Sequence, residues 1–235
     1  MNHIDLPSPI PRDTPVPHAD FSYRVIGREY LAIPEPPSEC SFWNVLASRR
    51  SRRAGPIAKA QLTDLLWYSA KTRASYREQD GFLWQSRPAP SAGGRHPIDV
   101  IVLQEERGQV MGRLYDPIAH ALCKLSIDQR RAITFYRHVN AMISASDGVV
   151  IWFVAQFGRT LGRYVYGESL VWRDAEALLA TVYLVCEALG LACCAIGSTG
   201  NPDIPQIVGA EKELTGVGGC IVGSRNHECK RSDNA

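Results

Sequence analysis

Four guanidiniums and a hydroxyl stand together at Arg49-Arg50-Ser51-Arg52-Arg53. Planar, permanently charged forks of this kind match phosphate oxygens two at a time, and a serine hydroxyl adds a neutral donor. Two other readings stay open: cations that complement a helix C-terminal dipole, and a small nucleic-acid patch that lacks interleaved aromatics. A second segment, Pro88-Ala89-Pro90-Ser91-Ala92-Gly93-Gly94, carries no large side chain. Its glycines let the backbone approach a flat ligand and its prolines hold the loop open, although an ordinary surface loop has the same composition. A third segment, Leu189 to Ser198, passes from a helix into an apolar strand that ends at Gly197 and Ser198. Exposed backbone N–H groups at such an end can meet a ring nitrogen or an oxyanion; taken alone, it is a helix-to-strand connection.

Other chemistry is sparse. His96, His120 and His138 lack metal-ligand spacing and read as structural hydrogen-bonding residues. No GxGxxG, Walker A or GxSxG motif occurs, so a Rossmann site, a P-loop and a nucleophile elbow are not indicated. The seven cysteines form an odd set without a CxxC pair, with Cys193 and Cys194 adjacent in an apolar run. That predicts reduced, buried thiols, no zinc site and a cytoplasmic protein. A net charge of +2 and a pI near 8.2 supply no global field toward nucleic acid or an anionic membrane. The N-terminus lacks a signal-peptide pattern, and no apolar run approaches the ~18 residues of a membrane span.

The elements that must position these residues can be read from periodicity and punctuation. Eight of the fifteen prolines precede residue 38, which predicts an extended arm over residues 1–40, ordered only against the body or a partner subunit. From Ser41 a helix is expected, with Phe42, Val45 and Leu46 on one face; it runs into the arginine cluster and is stopped by Gly55 and Pro56. A second helix is expected over 58–70, with Leu62, Leu65 and Leu66 at core spacing. Residues 71–97 read as a long polar connection, too long to be idle in a compact domain. Strands are expected at 98–103, 109–114, 149–155 and 218–222, and a helix around 120–140. Asp174 is expected to cap a helix running to Leu189, with Gly190 as its stop. The 235 residues, 45% of them hydrophobic, suffice for one α/β or α+β domain over 41–235 built on a central sheet.

In this order the segments resemble the nitroreductase superfamily, and within it the azoline dehydrogenases of streptolysin and microcin type. The resemblance rests on Arg-Arg-Ser-x-Arg at 49–53 with Leu65-Leu66-Trp67, on PSAGGRHP at 90–97, and on Gly112-x-Leu-Tyr-Asp-Pro-x-x-His120-x-Leu. It continues through Tyr166-Gly167-Glu168 and ALGLACCAIG at 188–197, and spans about residues 41–223. It implies an α+β nitroreductase fold with a central, mostly antiparallel sheet flanked by helices, an intertwined homodimer and an FMN cofactor. By the same resemblance Arg49, Arg50, Ser51 and Arg53 hold the FMN phosphate, ribityl chain and pyrimidine edge. Pro90, Ser91 and Gly93 pack on the flavin from the second subunit, Gly197 or Ser198 offers an N–H toward N5, and Arg225 is a candidate further phosphate cation. The implied activity is two-electron oxidation or reduction of a small-molecule or peptide-borne substrate in natural-product biosynthesis, with a biosynthetic enzyme complex as an implied setting. Nicotinamide-driven reduction of nitro, quinone or enamide groups, and a silent scaffold subunit, are the alternatives. One departure matters: the Lys-Tyr pair of the azoline branch is replaced by Arg163-Tyr164. Arginine is a poor proton acceptor, so Tyr164 and Tyr166 join Arg163 as candidates for substrate positioning or proton relay.

Overall fold

The computed structural model describes residues 7–36, 39–143 and 148–225. The arm contributes β1 (Ile10–Pro11) and β2 (Val25–Tyr30), followed by α1 (Phe42–Ser48), β3 (Ala54–Gly55) and α2 (Lys59–Ala70). A hairpin of β4 (Ala74–Arg77) and β5 (Leu83–Ser86) precedes β6 (Ile98–Glu106), β7 (Gln109–Asp116), β8 (Ala121–Leu125) and α3 (Gln129–Met142). The chain ends in β9 (Val149–Ala155), α4 (Phe157–Leu161), β10 (Tyr164–Val165), α5 (Glu168–Ala188), β11 (Leu191–Ile196), α6 (Asp203–Val208) and β12 (Thr215–Arg225).

Seven strands lie in the order β11-β12-β9-β6-β7-β8-β2, with β3 added beside β12. Every pairing in this sheet is antiparallel. The central strand β9 (VVIWFVA) is buried at all seven positions, because helices cover both faces. On one face Leu62, Leu65 and Leu66 of α2 and Val171, Leu178 and Val182 of α5 pack on Val100, Ile151 and Phe153. On the other, Phe135 and Val139 of α3 and Ile204 and Ile207 of α6 pack on Ile101, Trp152 and Val154. The expected α+β architecture with a central antiparallel sheet flanked by helices is the one observed. Among the described residues, no helix is long and apolar enough to cross a membrane.

Two local expectations are corrected, and two segments gain structure that the sequence did not mark. The helix expected from His120 begins only at Gln129: Ala121–Leu125 pairs with β7 and β2, and Asp128 caps α3 by accepting from the Arg131 N–H at 3.1 Å. Asp174 does not cap α5, which starts six residues ahead of it at Glu168, after Gly167; Asp174 is an interior helical residue. The 71–97 connection holds the β4–β5 hairpin, closed where Asp80 accepts from the Phe82 N–H at 2.9 Å. Residues 25–30 of the arm form the sheet edge although all six are exposed, so no apolar alternation marks them.

The arginine cluster is fixed by β3, which follows it directly and pairs Ala54 and Gly55 with Arg225 and Ser224. Gly223 makes that approach possible, since a Cβ there would run into the Gly55 carbonyl oxygen. Gly223→Ala should push β3 off β12 and cost about 1–3 kcal/mol, as overpacking does. The melting temperature should fall by roughly 2–4 °C for each kcal/mol in a chain of this size. An unchanged melting curve would show that β3 is not held there.

Candidate functional site

α1 ends at Ser48, and the arginine run follows as extended chain across the C-terminal half of α5 and the strand β11. The Arg52 N–H donates to the Cys193 carbonyl at 3.0 Å. Tyr183 of α5 ties the same three segments together: its hydroxyl accepts from the Ala195 N–H at 2.7 Å and lies 3.0 Å from Ser51 Oγ. Burial raises the Tyr183 pKa, so the phenol keeps its proton to share with Ser51. Arg52 and Arg225 both bond Glu187, at 2.7 and 2.9 Å. Burial opposes that carboxylate's charge, but contacts from Ser48, Arg52 and Arg225 outweigh it and hold its pKa below the ordinary range. Arg225 is therefore engaged at the base of the cluster, where two guanidiniums on one carboxylate leave one positive charge over.

The remaining cations have no carboxylate among the described residues. Among the described residues, Arg49 lies over the Tyr183 ring at 5.4 Å, Arg50 donates only to the Ala47 and Arg49 carbonyls, and exposed Arg53 has no partner. Gly197 and Ser198 follow β11 directly, two and three residues past the Ala195 that donates to Tyr183. Gly197 is exposed with open space where a side chain would stand, and Ser198 Oγ accepts from the Gly200 N–H at 3.1 Å. Three unpaired guanidiniums, a hydroxyl and an unobstructed backbone make a donor set suited to a phosphorylated, planar ligand.

The central loop assembles elsewhere. Ser91 Oγ donates to Asp174 at 2.6 Å, the Ala92 N–H donates to the same carboxylate, and Ser91 Oγ accepts from the His96 N–H at 2.8 Å. Burial raises the Asp174 pKa in spite of these donors. Pro90 and Gly93 are exposed on this loop. Gly93 has φ +58°, and a Cβ there would come within 2.9 Å of the Tyr164 hydroxyl, so only glycine admits this tyrosine. Arg163 donates to the Arg12 carbonyl and accepts from the Arg12 N–H at 2.8 Å, where β1 pairs with β10. Tyr166 has φ +57°, unusual for a bulky residue, is 51% exposed, and its hydroxyl has no partner among the described residues.

The candidate residues thus form two groups on α5. Asp174 and Tyr183 stand nine residues apart, which places them about 13 Å apart along the helix axis and about half a turn round it. One chain brings Ser51 to the Tyr183–Ala195 contact, two residues ahead of Gly197, and brings Arg225 to Glu187 beside Arg52, at the other end of β11. It brings Gly93 of the central loop to Tyr164, which Arg163 and Tyr166 flank along the chain. It does not join the two groups. Sequence reasoning did not single out Tyr183, and it read Asp174 as a cap. Each lies on the helical core stripe or at its start, and its role shows only through partners far along the chain.

The Nitroreductase family model matches residues 46–224, and no curated protein matches. Among solved structures, a protein described as a candidate nitroreductase from Ralstonia eutropha is 23% identical, covering 90% of this chain and 97% of its own, with a TM-score of 0.66. A candidate nitroreductase from Anabaena variabilis is 19% identical over 69% of this chain, which spans 34% of that longer one, with a TM-score of 0.58. A chain of the E. coli microcin synthetase McbBCD complex with truncated pro-MccB17 bound is 16% identical over 84% of this chain and 78% of its own, with a TM-score of 0.59. At these identities the solved structures speak for the fold. The family match, over most of the chain, speaks for descent: this protein belongs to the nitroreductase family of oxidoreductases.

Proposed function

We propose that the protein is an FMN-dependent oxidoreductase whose active unit is a homodimer, each site taking the arginine group from one copy and the central-loop group from the other. The observation that carries this reading is the separation of the two groups on opposite sides of α5, with three guanidiniums on one of them left without carboxylates. Exposed Phe42, Trp43 and Leu46 on α1, at 58%, 75% and 44%, supply apolar surface that a second copy would cover.

Arg49, Arg50 and Arg53 would hold the phosphate, with Ser51 and, at the base, Arg225. Arg53 would sit near the pyrimidine edge, where a fixed cation favours the reduced, anionic ring. Gly197 or Ser198 would direct a backbone N–H at the reacting nitrogen. When bound, FMN supplies two-electron chemistry at its ring. Pro90, Ser91 and Gly93 would close over it from the partner copy, excluding water. Among the three catalytic candidates, Arg163 is tied to the arm and Tyr164 lies beside Gly93, whereas Tyr166 is exposed with its hydroxyl unpartnered among the described residues. Of the two tyrosines, Tyr166 is the more exposed, and we read it as the one that would position the substrate or relay its proton. A biosynthetic dehydrogenation of a small-molecule or peptide-borne group is the reading drawn from the azoline-type motifs, and a peptide-modifying complex would be its setting. Arg163 at the position of the branch's lysine favours a second reading, nicotinamide-driven reduction, because arginine cannot serve as the base that dehydrogenation needs.

Arg50→Ala and Arg53→Ala should each weaken FMN retention, each removing a charge-assisted contact worth about 1.5–3 kcal/mol. Flavin absorbance after desalting measures this, and wild-type content in both variants would move the phosphate site elsewhere. Light scattering of the FMN-loaded protein should report twice the 26.0 kDa chain mass; a monomer that retains flavin would reject the shared site. Tyr166→Phe should keep the flavin bound but slow flavin reduction or reoxidation by substrate on the order of 10²-fold, the low end for a lost general acid or base. Stopped-flow absorbance with a reduced nicotinamide, run anaerobically, checks this. Rapid bleaching in the wild type selects the reductase reading, and unchanged Tyr166→Phe kinetics would remove Tyr166 from the mechanism.

A further inference from the structure

Apart from the flavin-type groups, a cavity of about 740 Å³ lies between the arm segment 15–23, the β4–β5 hairpin and the end of β7. Its carboxylates are already committed. Asp99 accepts from Arg159 at 2.7 Å, from Gln156 at 2.6 Å and from the Tyr23 hydroxyl at 3.0 Å. Asp20 accepts from Arg159 at 3.0 Å, Asp116 from the Ile118 and Ala119 N–H groups at 3.0 Å, and Asp80 from the Phe82 N–H at 2.9 Å. Arg28 and Arg95 stand at 3.5 and 3.8 Å from Asp116 and Asp80.

Arg87 lines the same cavity and has no carboxylate within ion-pair distance among the described residues. Its Nε and Nη2 donate to the amide oxygen of Gln85 at 3.2 and 2.9 Å. That oxygen is neutral and also accepts from Thr72 Oγ1 at 2.6 Å. Arg87 is half-buried by surface because it faces the cavity, yet protein surrounds it. Burial, and then repulsion from Arg159, push its pKa down to about 10. Attraction from Asp99 and Asp116 offsets this only in part, and both carboxylates are bonded to other donors. A cation enclosed without an ion-pair partner of its own is expensive, and a ligand carboxylate would complete it. The geometry names the ligand. Gln85 occupies the Nε/Nη2 edge of the guanidinium and leaves the Nη1/Nη2 edge open, the fork that takes both oxygens of a carboxylate. Phe21, Phe82, Leu83 and Leu114 form apolar wall beside it.

We propose that this cavity is a binding site for a small organic carboxylate with an apolar body, anchored bidentately on the open edge of Arg87. None of Arg49, Arg50, Ser51 and Arg53 lines it, so the inference stands apart from the flavin reading.

Calorimetric titration of the purified full-length protein with benzoate, hexanoate and inorganic phosphate tests it. At least one of the two carboxylates should bind saturably, and phosphate at least tenfold more weakly. Arg87→Lys, which keeps the charge and loses the fork, should lower carboxylate affinity at least tenfold. Arg87→Met should abolish binding and, without ligand, melt no lower than the wild type, because it removes an uncompensated charge. The proposal is overturned if neither carboxylate binds the wild type, if phosphate binds as tightly, or if Arg87→Lys binds like the wild type. A ligand-free Arg87→Met protein that melts well below the wild type overturns it as well, since the arginine would then be structural.

Discussion

Helix α5 sets the geometry on which the rest of this protein depends. It runs 21 residues against the sheet, and each end is tied to a different polar segment: the central loop through Asp174, the arginine run through Tyr183 and Glu187. A rigid helix fixes both the distance and the angle between its side chains. The loop and the arginine run therefore cannot converge within one chain by small adjustments. Each is held by charged or buried hydrogen bonds that would be left unsatisfied if the segment moved.

The sheet serves this arrangement by bringing its last strand back into the middle. β12 lies between β11 and β9 and also receives β3. The exit of the arginine run, the start of β11 and the end of the described chain are thereby stitched together, with Glu187 accepting from both Arg52 and Arg225. Glycines carry the tight approaches: Gly223 against β3, and Gly93 beneath the Tyr164 hydroxyl.

The proline-rich arm is part of the same architecture. Its β2 closes the sheet edge on β8, and its β1 pairs with β10, beside Tyr166. The Val16 N–H donates to the Gly162 carbonyl at 2.7 Å, and His18 packs over Gly158. The arm thus holds the segment that carries Arg163, Tyr164 and Tyr166 from outside, and roofs the Arg87 cavity on the way. Proline fits this duty, since it presets an extended backbone and needs few partners for its nitrogen.

What the sequence by itself determined was local. β9 was legible from an unbroken apolar run, α2 from leucines at helical spacing, β6 and β7 from two short runs at 98–103 and 109–114, and the motif order from residue types that pack or bind in only a few ways. What only the tertiary structure decided was long-range. Ser91 meets Asp174 across 83 residues and Ser51 meets Tyr183 across 132; no periodicity encodes such meetings. Ala121–Leu125 became a strand because two neighbouring strands offered it hydrogen bonds, which outweighs a local helical pattern. Arg87 looked like any arginine in a polar loop. Its enclosure beside a neutral glutamine, with every nearby carboxylate spoken for, arises only when the arm, the hairpin and the sheet close around it, because burial and charge balance belong to the packed chain.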